Sequence, residues 1–173
     1  MFELQNFNKT ITLNPHLATQ ERIESIKQVI YSDKVLAIDD NLMHKGPKGI
    51  VTDYYLGWNE ALNSIKPTEL KFDLSSNPGD ISIYLFDFKS DVSGRTIVND
   101  NRVQIFLYDV NDYTPNSLKS LLRHELGHAF GLGHNSGPEE LMNENINLYY
   151  PYISSCNIMA LSQNNHTEIR CEK

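Results

Sequence analysis

Hydrophobic residues recur at helical spacing in three segments of the chain. Asn14-Pro15 can open a helix over residues 16–31, because Ile23, Ile26 and Ile30 would then share one face. A second apolar face precedes Pro67, which would end the helix, and it consists of Tyr54, Trp58, Ala61, Leu62 and Ile65. Thr114-Pro115 has the form of an N-cap followed by a first helical proline, and the third face continues through Leu118, Leu121, Leu122 and Leu126.

Shorter apolar runs between these helices predict β-strands. The runs are residues 34–38, 70–74, 81–88 and 103–108, and turn residues such as Asn77-Pro78-Gly79 separate them. Residues 95–98 could form a short edge strand, and residues 41–49, which contain Gly46-Pro47, are typical of a loop. We expect the second helix to pack on the resulting sheet.

Length and composition favour one globular domain. A chain of 173 residues buries roughly 70% of the surface that it exposes when unfolded, so its core needs no disulfide or metal. No repeat or low-complexity tract divides it, and we predict an N-terminal extension at residues 1–33 before a main domain at residues 34–173. The extension could be a pro-segment, a structural element or a lid. Cys156 and Cys171 either form a disulfide or are two separate thiols.

Charge and hydropathy restrict the partners of the chain. The net charge is -7, the sequence pI is about 5.3, and no Lys/Arg cluster exceeds a dipeptide. These features argue against binding of nucleic acid through its phosphates. No apolar run approaches the ~20 residues that span a bilayer, so a protein or peptide partner is the better expectation. The first residues lack the pattern of a signal peptide, so the chain is intracellular or a leader was removed.

Residues 124–134, HELGHAFGLGH, place three histidines and a glutamate at spacings that a helix makes meaningful. His124 and His128 lie one turn apart, so both imidazoles can bind one ion at about 2.1 Å. Gly131 can adopt the left-handed conformation that ends a helix, and the redirected chain can return His134 as a third ligand. Glu125 lies about 100° further round the helix, where it can reach a water at the metal but cannot join the ligands.

This set of side chains suits a hydrolytic zinc. Three neutral imidazoles leave the ion its charge and one open site, and Glu125 can act as general base and pass the proton to a leaving amine. A lone HExxH also occurs in helices whose histidines are surface or core residues, but the third histidine and the glycine favour a metal site. A closed structural site would need a fourth Cys or His ligand, and none lies nearby in the sequence. The pattern therefore predicts one catalytic zinc.

The same segment resembles the signature of the metzincin clan, HExxHxxGxxH, and the residues after it are most similar to the matrixins, the family of the matrix metalloproteinases. The run from Asn135 to Met142 resembles the matrixin run of serine, proline, glutamate and a leucine-methionine pair. The resemblance implies that Met142 is the Met-turn residue beneath the zinc. It also implies an α+β, zincin-like catalytic domain with a twisted mixed sheet of about five strands, an active-site helix and a small C-terminal subdomain.

The resemblance further implies a mode of substrate binding. An extended substrate would pair with the edge strand at residues 95–98, which is a common way to bind a peptide. Residues after Met142, including Tyr149 and Tyr150, would form a wall of the specificity pocket, although aromatic residues there could equally be core. Asn135 stands where matrixins usually have serine, and Asn143-Glu144 replaces their tyrosine-proline, so the shape of the pocket stays open.

Other metals follow less directly from the sequence. The remaining histidines, His16, His44 and His166, are scattered, so we expect no second zinc. Calcium could be held through oxygen ligands by a set of aspartates that could equally be solvated loop residues; they are Asp87, Asp91, Asp100, Asp109 and Asp112.

Two functions compete on this sequence. The first is a zinc metalloendopeptidase, by resemblance secreted or extracellular, acting as a monomer on protein or peptide substrates. The alternative is a catalytically silent zinc-containing protein that binds extended peptides along its sheet edge. The sequence does not specify the natural substrate, the cleavage preference or the compartment.

Overall fold

The computed structural model describes residues 6–135, 140–146 and 150–163. Its strands and helices, in chain order, are β1 (Lys9–Leu13), α1 (Gln20–Tyr31), β2 (Val35–Asp39), β3 (Val51–Tyr55), α2 (Trp58–Asn63), β4 (Leu70–Leu74), β5 (Ile81–Leu85), β6 (Gly94–Asn99), β7 (Arg102–Leu107), α3 (Pro115–Phe130) and α4 (Ser155–Ser162).

Five of the strands form one mixed sheet in the order β4-β1-β5-β7-β6. Parallel pairs join β4 to β1, β1 to β5 and β5 to β7, whereas β6 pairs antiparallel with β7 and forms the edge. Alternate residues of the central strands, such as Ile11, Ile83 and Ile105, are fully buried in the same core as the helices. The predicted α+β fold with a mixed sheet of five strands is confirmed.

Helix α1 begins later than predicted. It starts at Gln20 instead of residue 16, because the side chain of Thr19 accepts a hydrogen bond from the Arg22 N–H and caps the helix. The predicted apolar face is confirmed, since Ile26 and Ile30 are fully buried and Ile23 packs against the core. This face packs α1 against α3, the helix that carries the histidines.

The second predicted helix is partly wrong. Helix α2 covers only Trp58–Asn63, and Tyr54, the first residue of the predicted face, lies on β3. Tyr54 is 1% exposed, and its strand pairs with β2 in a separate antiparallel hairpin, where Tyr54 lies opposite Leu36. The Tyr54 side chain is buried, as the apolar pattern predicted, but it reaches the core from a strand and not from a helix.

The N-terminal part of the chain contributes a strand that the sequence analysis did not predict. Strand β1 lies between β4 and β5, where Ile11 is opposite both Phe72 and Ile81. Residues 9–31 thus supply an inner strand of the sheet and a helix packed on α3. The division at residue 33 stays a prediction, and its test is described in the Discussion.

The other predicted strands appear at nearly the predicted positions, as β2, β4, β5, β6 and β7. The loop predicted at residues 41–49 contains one short 3-10 turn at Asp40–Met43. Cys156, on α4, is disulfide-bonded, and the other cysteine of the sequence, Cys171, lies outside the described residues. Within the described ranges, we find no helix long and apolar enough to cross a membrane.

Candidate metal centre

Helix α3 begins and ends as the sequence predicts. The Thr114 side chain accepts a hydrogen bond of 3.2 Å from the Ser117 N–H, and Pro115 occupies the first turn. At the other end Gly131 has φ 110°, a left-handed conformation that costs glycine little. The Leu132 N–H then donates to the Gly127 carbonyl at 2.9 Å, which closes the helix and turns the chain back towards its own last turns.

The three predicted histidines are brought together by this turn. The Nε2 atom of His128 lies 3.1 Å from Nε2 of His124 and 3.1 Å from Nε2 of His134. Within the part of the chain that the structure describes, these histidines are the one group of three His, Cys, Asp or Glu side chains with metal-ligand spacing. Three ligands arranged tetrahedrally about 2.1 Å from a shared ion would lie about 3.4 Å apart, so the observed spacing fits a zinc ion.

Backbone carbonyls orient two of the rings. Nδ1 of His124 lies 2.6 Å from the Leu141 carbonyl oxygen, and Nδ1 of His128 lies 2.8 Å from that of Leu132. A carbonyl only accepts, so each Nδ1 carries the hydrogen and each Nε2 presents its lone pair to the shared centre. This is the usual arrangement around ligating histidines, in which an outer hydrogen bond selects the tautomer.

Burial favours the neutral form of the His124 and His128 rings. It lowers the pKa of His124 to about 4, an effect that the Leu141 hydrogen bond partly opposes and the neighbouring histidines reinforce. Burial also lowers the pKa of His128, again against the hydrogen bond to Leu132. A metal binds only the deprotonated nitrogen, so neutral rings are the form that the centre requires.

Glu125 lies beside the histidines and is directed to the edge strand. The Thr96 hydroxyl lies 2.6 Å from Glu125 Oε2 and 3.1 Å from the Glu125 carbonyl oxygen, so β6 fixes this carboxyl group from outside the helix. Gly94 leaves room for the carboxyl, because a Cβ atom there would lie 2.5 Å from Oε1. Burial raises the pKa of Glu125 to about 7, although the Thr96 hydrogen bond opposes the shift.

Met142, the residue that the family resemblance would place beneath the metal, packs against the helix that carries the histidines. It is 1% exposed, and its sulfur atom packs directly against Gly127, between two of the histidines in the helix. The Met142 carbonyl accepts a hydrogen bond of 2.9 Å from the N–H of Asn135, the residue after His134. The segment around Met142 thus contacts both the helix and the returning chain.

An open cleft of about 830 Å³ runs past the histidines. It is lined by the edge strand β6 with the residues before it, and also by Glu144, Asn145 and Ile146. The outer side of β6 has no partner strand in the five-stranded sheet, so its backbone N–H and C=O groups can pair with an added strand.

Two expectations from the sequence receive no support. Tyr150 is 6% exposed, its hydroxyl accepts a 3.0 Å hydrogen bond from Nζ of Lys45, and it is not among the residues that line the cleft. Tyr149 lies outside the described residues. The five aspartates proposed for calcium form no ligand group in the described part of the chain; Asp91 instead lies 3.7 Å from Arg95, and Asp109 lies 3.9 Å from Lys89.

Sequence reasoning missed Gly94 and Thr96. Both lie on β6, where Gly94 precedes the predicted edge strand at residues 95–98 and Thr96 lies within it; one residue separates them, so they point to the same side of the sheet. That alternation was available from the sequence, but nothing in it indicates that this side meets Glu125.

A family model matches about half of the chain. Residues 86–169, which include β6, α3 and all three histidines, match the model of the matrixin family. No curated protein sequence matches the chain.

Proposed function

Because this chain is a matrixin-like metzincin, we propose that it is a zinc-dependent endopeptidase acting on protein substrates. The observation that carries the proposal is the convergence of three Nε2 atoms, on His124, His128 and His134, beside the buried carboxyl group of Glu125. The family match supports the general class, a zinc metallopeptidase. The ligand set, the general base and the substrate mode are our own assignments.

The roles of the side chains follow from their chemistry. His124, His128 and His134 would hold the zinc, which supplies Lewis acidity to the reacting carbonyl and to water. Glu125 would take the proton of the attacking water and return it to the leaving amine. The Thr96 hydroxyl donates to Oε2 of Glu125 and holds this buried carboxyl group in the cleft that the three histidines also line.

The cleft suits an extended polypeptide. The free edge of β6 offers backbone groups to a substrate strand, and residues 144–146, which also line the cleft, would contact its side chains. We propose that the chain acts as a monomer outside the cell. The disulfide at Cys156 supports an oxidising compartment, and finding the protein only inside intact cells would contradict this location.

The proposal is tested by incubating the purified protein with a peptide library, with and without a chelator, and identifying products by mass spectrometry. We expect internal cleavages that the chelator abolishes and added zinc restores. The alternative function, a silent peptide-binding protein, predicts bound zinc and peptide affinity with no products. Cleavage that persists after the zinc has been removed would contradict both.

A further inference from the structure

A buried ion pair supports the segment that orients His124. The Leu141 carbonyl is the acceptor of the His124 ring hydrogen, so any displacement of residues 140–142 moves the partner of a metal ligand. The neighbouring residue, Glu140, is buried, and its Oε1 atom lies 2.7 Å from Nζ of Lys45. The side chains of this Lys45–Glu140 pair are 15% and 7% exposed.

Lys45 comes from the β2–β3 hairpin, far from the histidines in the sequence. Its N–H donates to the Asp40 carbonyl at 2.9 Å, and the Asp40 side chain accepts a 2.5 Å hydrogen bond from Thr52 on β3. The hairpin is joined to the C-terminal part of the chain by two backbone hydrogen bonds between Tyr55 and Ile153. The position of Lys45 is therefore fixed by the hairpin independently of the metal centre.

Two aromatic rings enclose the ammonium group of Lys45. Nζ lies 5.6 Å from the ring centre of Tyr54 and 5.2 Å from that of Tyr150, and it is 3.0 Å from the Tyr150 hydroxyl. The second carboxylate oxygen of Glu140, Oε2, is buried and has no hydrogen-bond partner among the described residues. Glu140 therefore depends on Lys45 for compensation of its charge, because a buried carboxylate without a cation is strongly unfavourable.

We propose that the Lys45–Glu140 pair positions the metal site, by fixing Leu141 so that its carbonyl holds the His124 ring in the ligating orientation. Lys45 and Glu140 are positioning residues and do not touch the substrate. The inference rests on the proposed function only in taking His124 as a zinc ligand. It assigns a task to the hairpin, which lies far from the three histidines in the sequence.

The test compares zinc affinity and thermal stability in three variants. Zinc dissociation constants are measured by competition with a chromophoric chelator, and melting temperatures are measured without metal. Lys45→Met leaves Glu140 unpaired and should weaken zinc binding about tenfold, the low end of the range for outer-sphere partners of metal ligands. Lys27→Met is the matched control, because it breaks an exposed 3.9 Å pair with Glu24 and should leave both values unchanged.

The double variant Lys45→Met/Glu140→Leu separates positioning from stability. Replacing a buried pair by apolar residues of similar volume should return the melting temperature close to that of the wild type. We expect zinc binding to stay about fivefold weaker, because apolar contacts do not fix the place of Leu141 as the ion pair does.

Wild-type zinc affinity in the double variant would overturn the proposal, since the pair would then contribute stability alone. The proposal would also fail if Lys45→Met folds and binds zinc as tightly as the wild type does. If Lys45→Met does not fold, the double variant decides. Because zinc affinity is measured without turnover, a wild-type protein that binds zinc but cleaves no peptide would contradict the endopeptidase function and leave this test intact.

Discussion

Glu125→Gln is expected to lower kcat/KM for peptide hydrolysis by about 10³- to 10⁴-fold while leaving the bound zinc in place. The substitution keeps the shape of the side chain and an oxygen that can accept from Thr96, but it removes the group that takes a proton from water. Zinc should stay because the three ligand nitrogens belong to other residues. Kinetics on a fluorogenic peptide and zinc analysis of the same sample measure the two effects.

Glu21→Gln provides a matched control for this variant. Glu21 is an exposed carboxylate on α1 and is not among the residues that line the cleft. Its substitution should leave turnover within about threefold of the wild type, as expected for a surface carboxylate without a chemical role. If Glu125→Gln cleaved peptides as well as Glu21→Gln, Glu125 would not be the base.

Removal of residues 1–33 is expected to abolish folding of the rest of the chain. The deletion takes out β1, which hydrogen-bonds to β4 on one side and to β5 on the other, and α1, which packs on α3. The deletion would leave β4 and β5 without the strand that lies between them, and it would expose much of the hydrophobic core to water. Circular dichroism and thermal melting of the 34–173 fragment would show the loss.

A pair of isoleucine variants tests the same point without truncation. Ile11→Ala, in a fully buried position on β1, should reduce the free energy of unfolding by about 2–5 kcal/mol. Ile97→Ala, in a position 37% exposed on the edge strand β6, should cost less than about 1 kcal/mol. A stable, active 34–173 fragment would show instead that residues 1–33 are a removable pro-segment or lid.

The metal centre could be predicted from the sequence because its geometry is local. His124 and His128 are one helical turn apart, and Gly131 ends the helix at the place where the chain must reverse to bring back His134. Each step needs only helix geometry and the conformational preference of glycine. The strands β4, β6 and β7 were predictable for the same reason, since short β-branched and aromatic runs lie between clear turn residues.

The supports of the centre could not be predicted, because they join distant parts of the chain. Thr96 meets Glu125 only because β6 lies along α3, and Lys45 meets Glu140 only because a hairpin separates α1 from α2. The pattern around Tyr54 has helical spacing, yet strand pairing with β2 prevailed. Strand β1 has five residues, and its parallel partners lie about 60 to 70 residues later in the sequence, so no local turn signal indicates it.

X-ray absorption at the zinc edge, on protein loaded with one equivalent of zinc, tests the central claim most directly. We predict a first shell of three imidazole nitrogens and one further light atom at about 2.0–2.1 Å. The spectrum of zinc-loaded His134→Ala should show one imidazole nitrogen fewer than the spectrum of the wild type. Sulfur at about 2.3 Å, or an unchanged spectrum in that variant, would contradict a three-histidine centre with an open position.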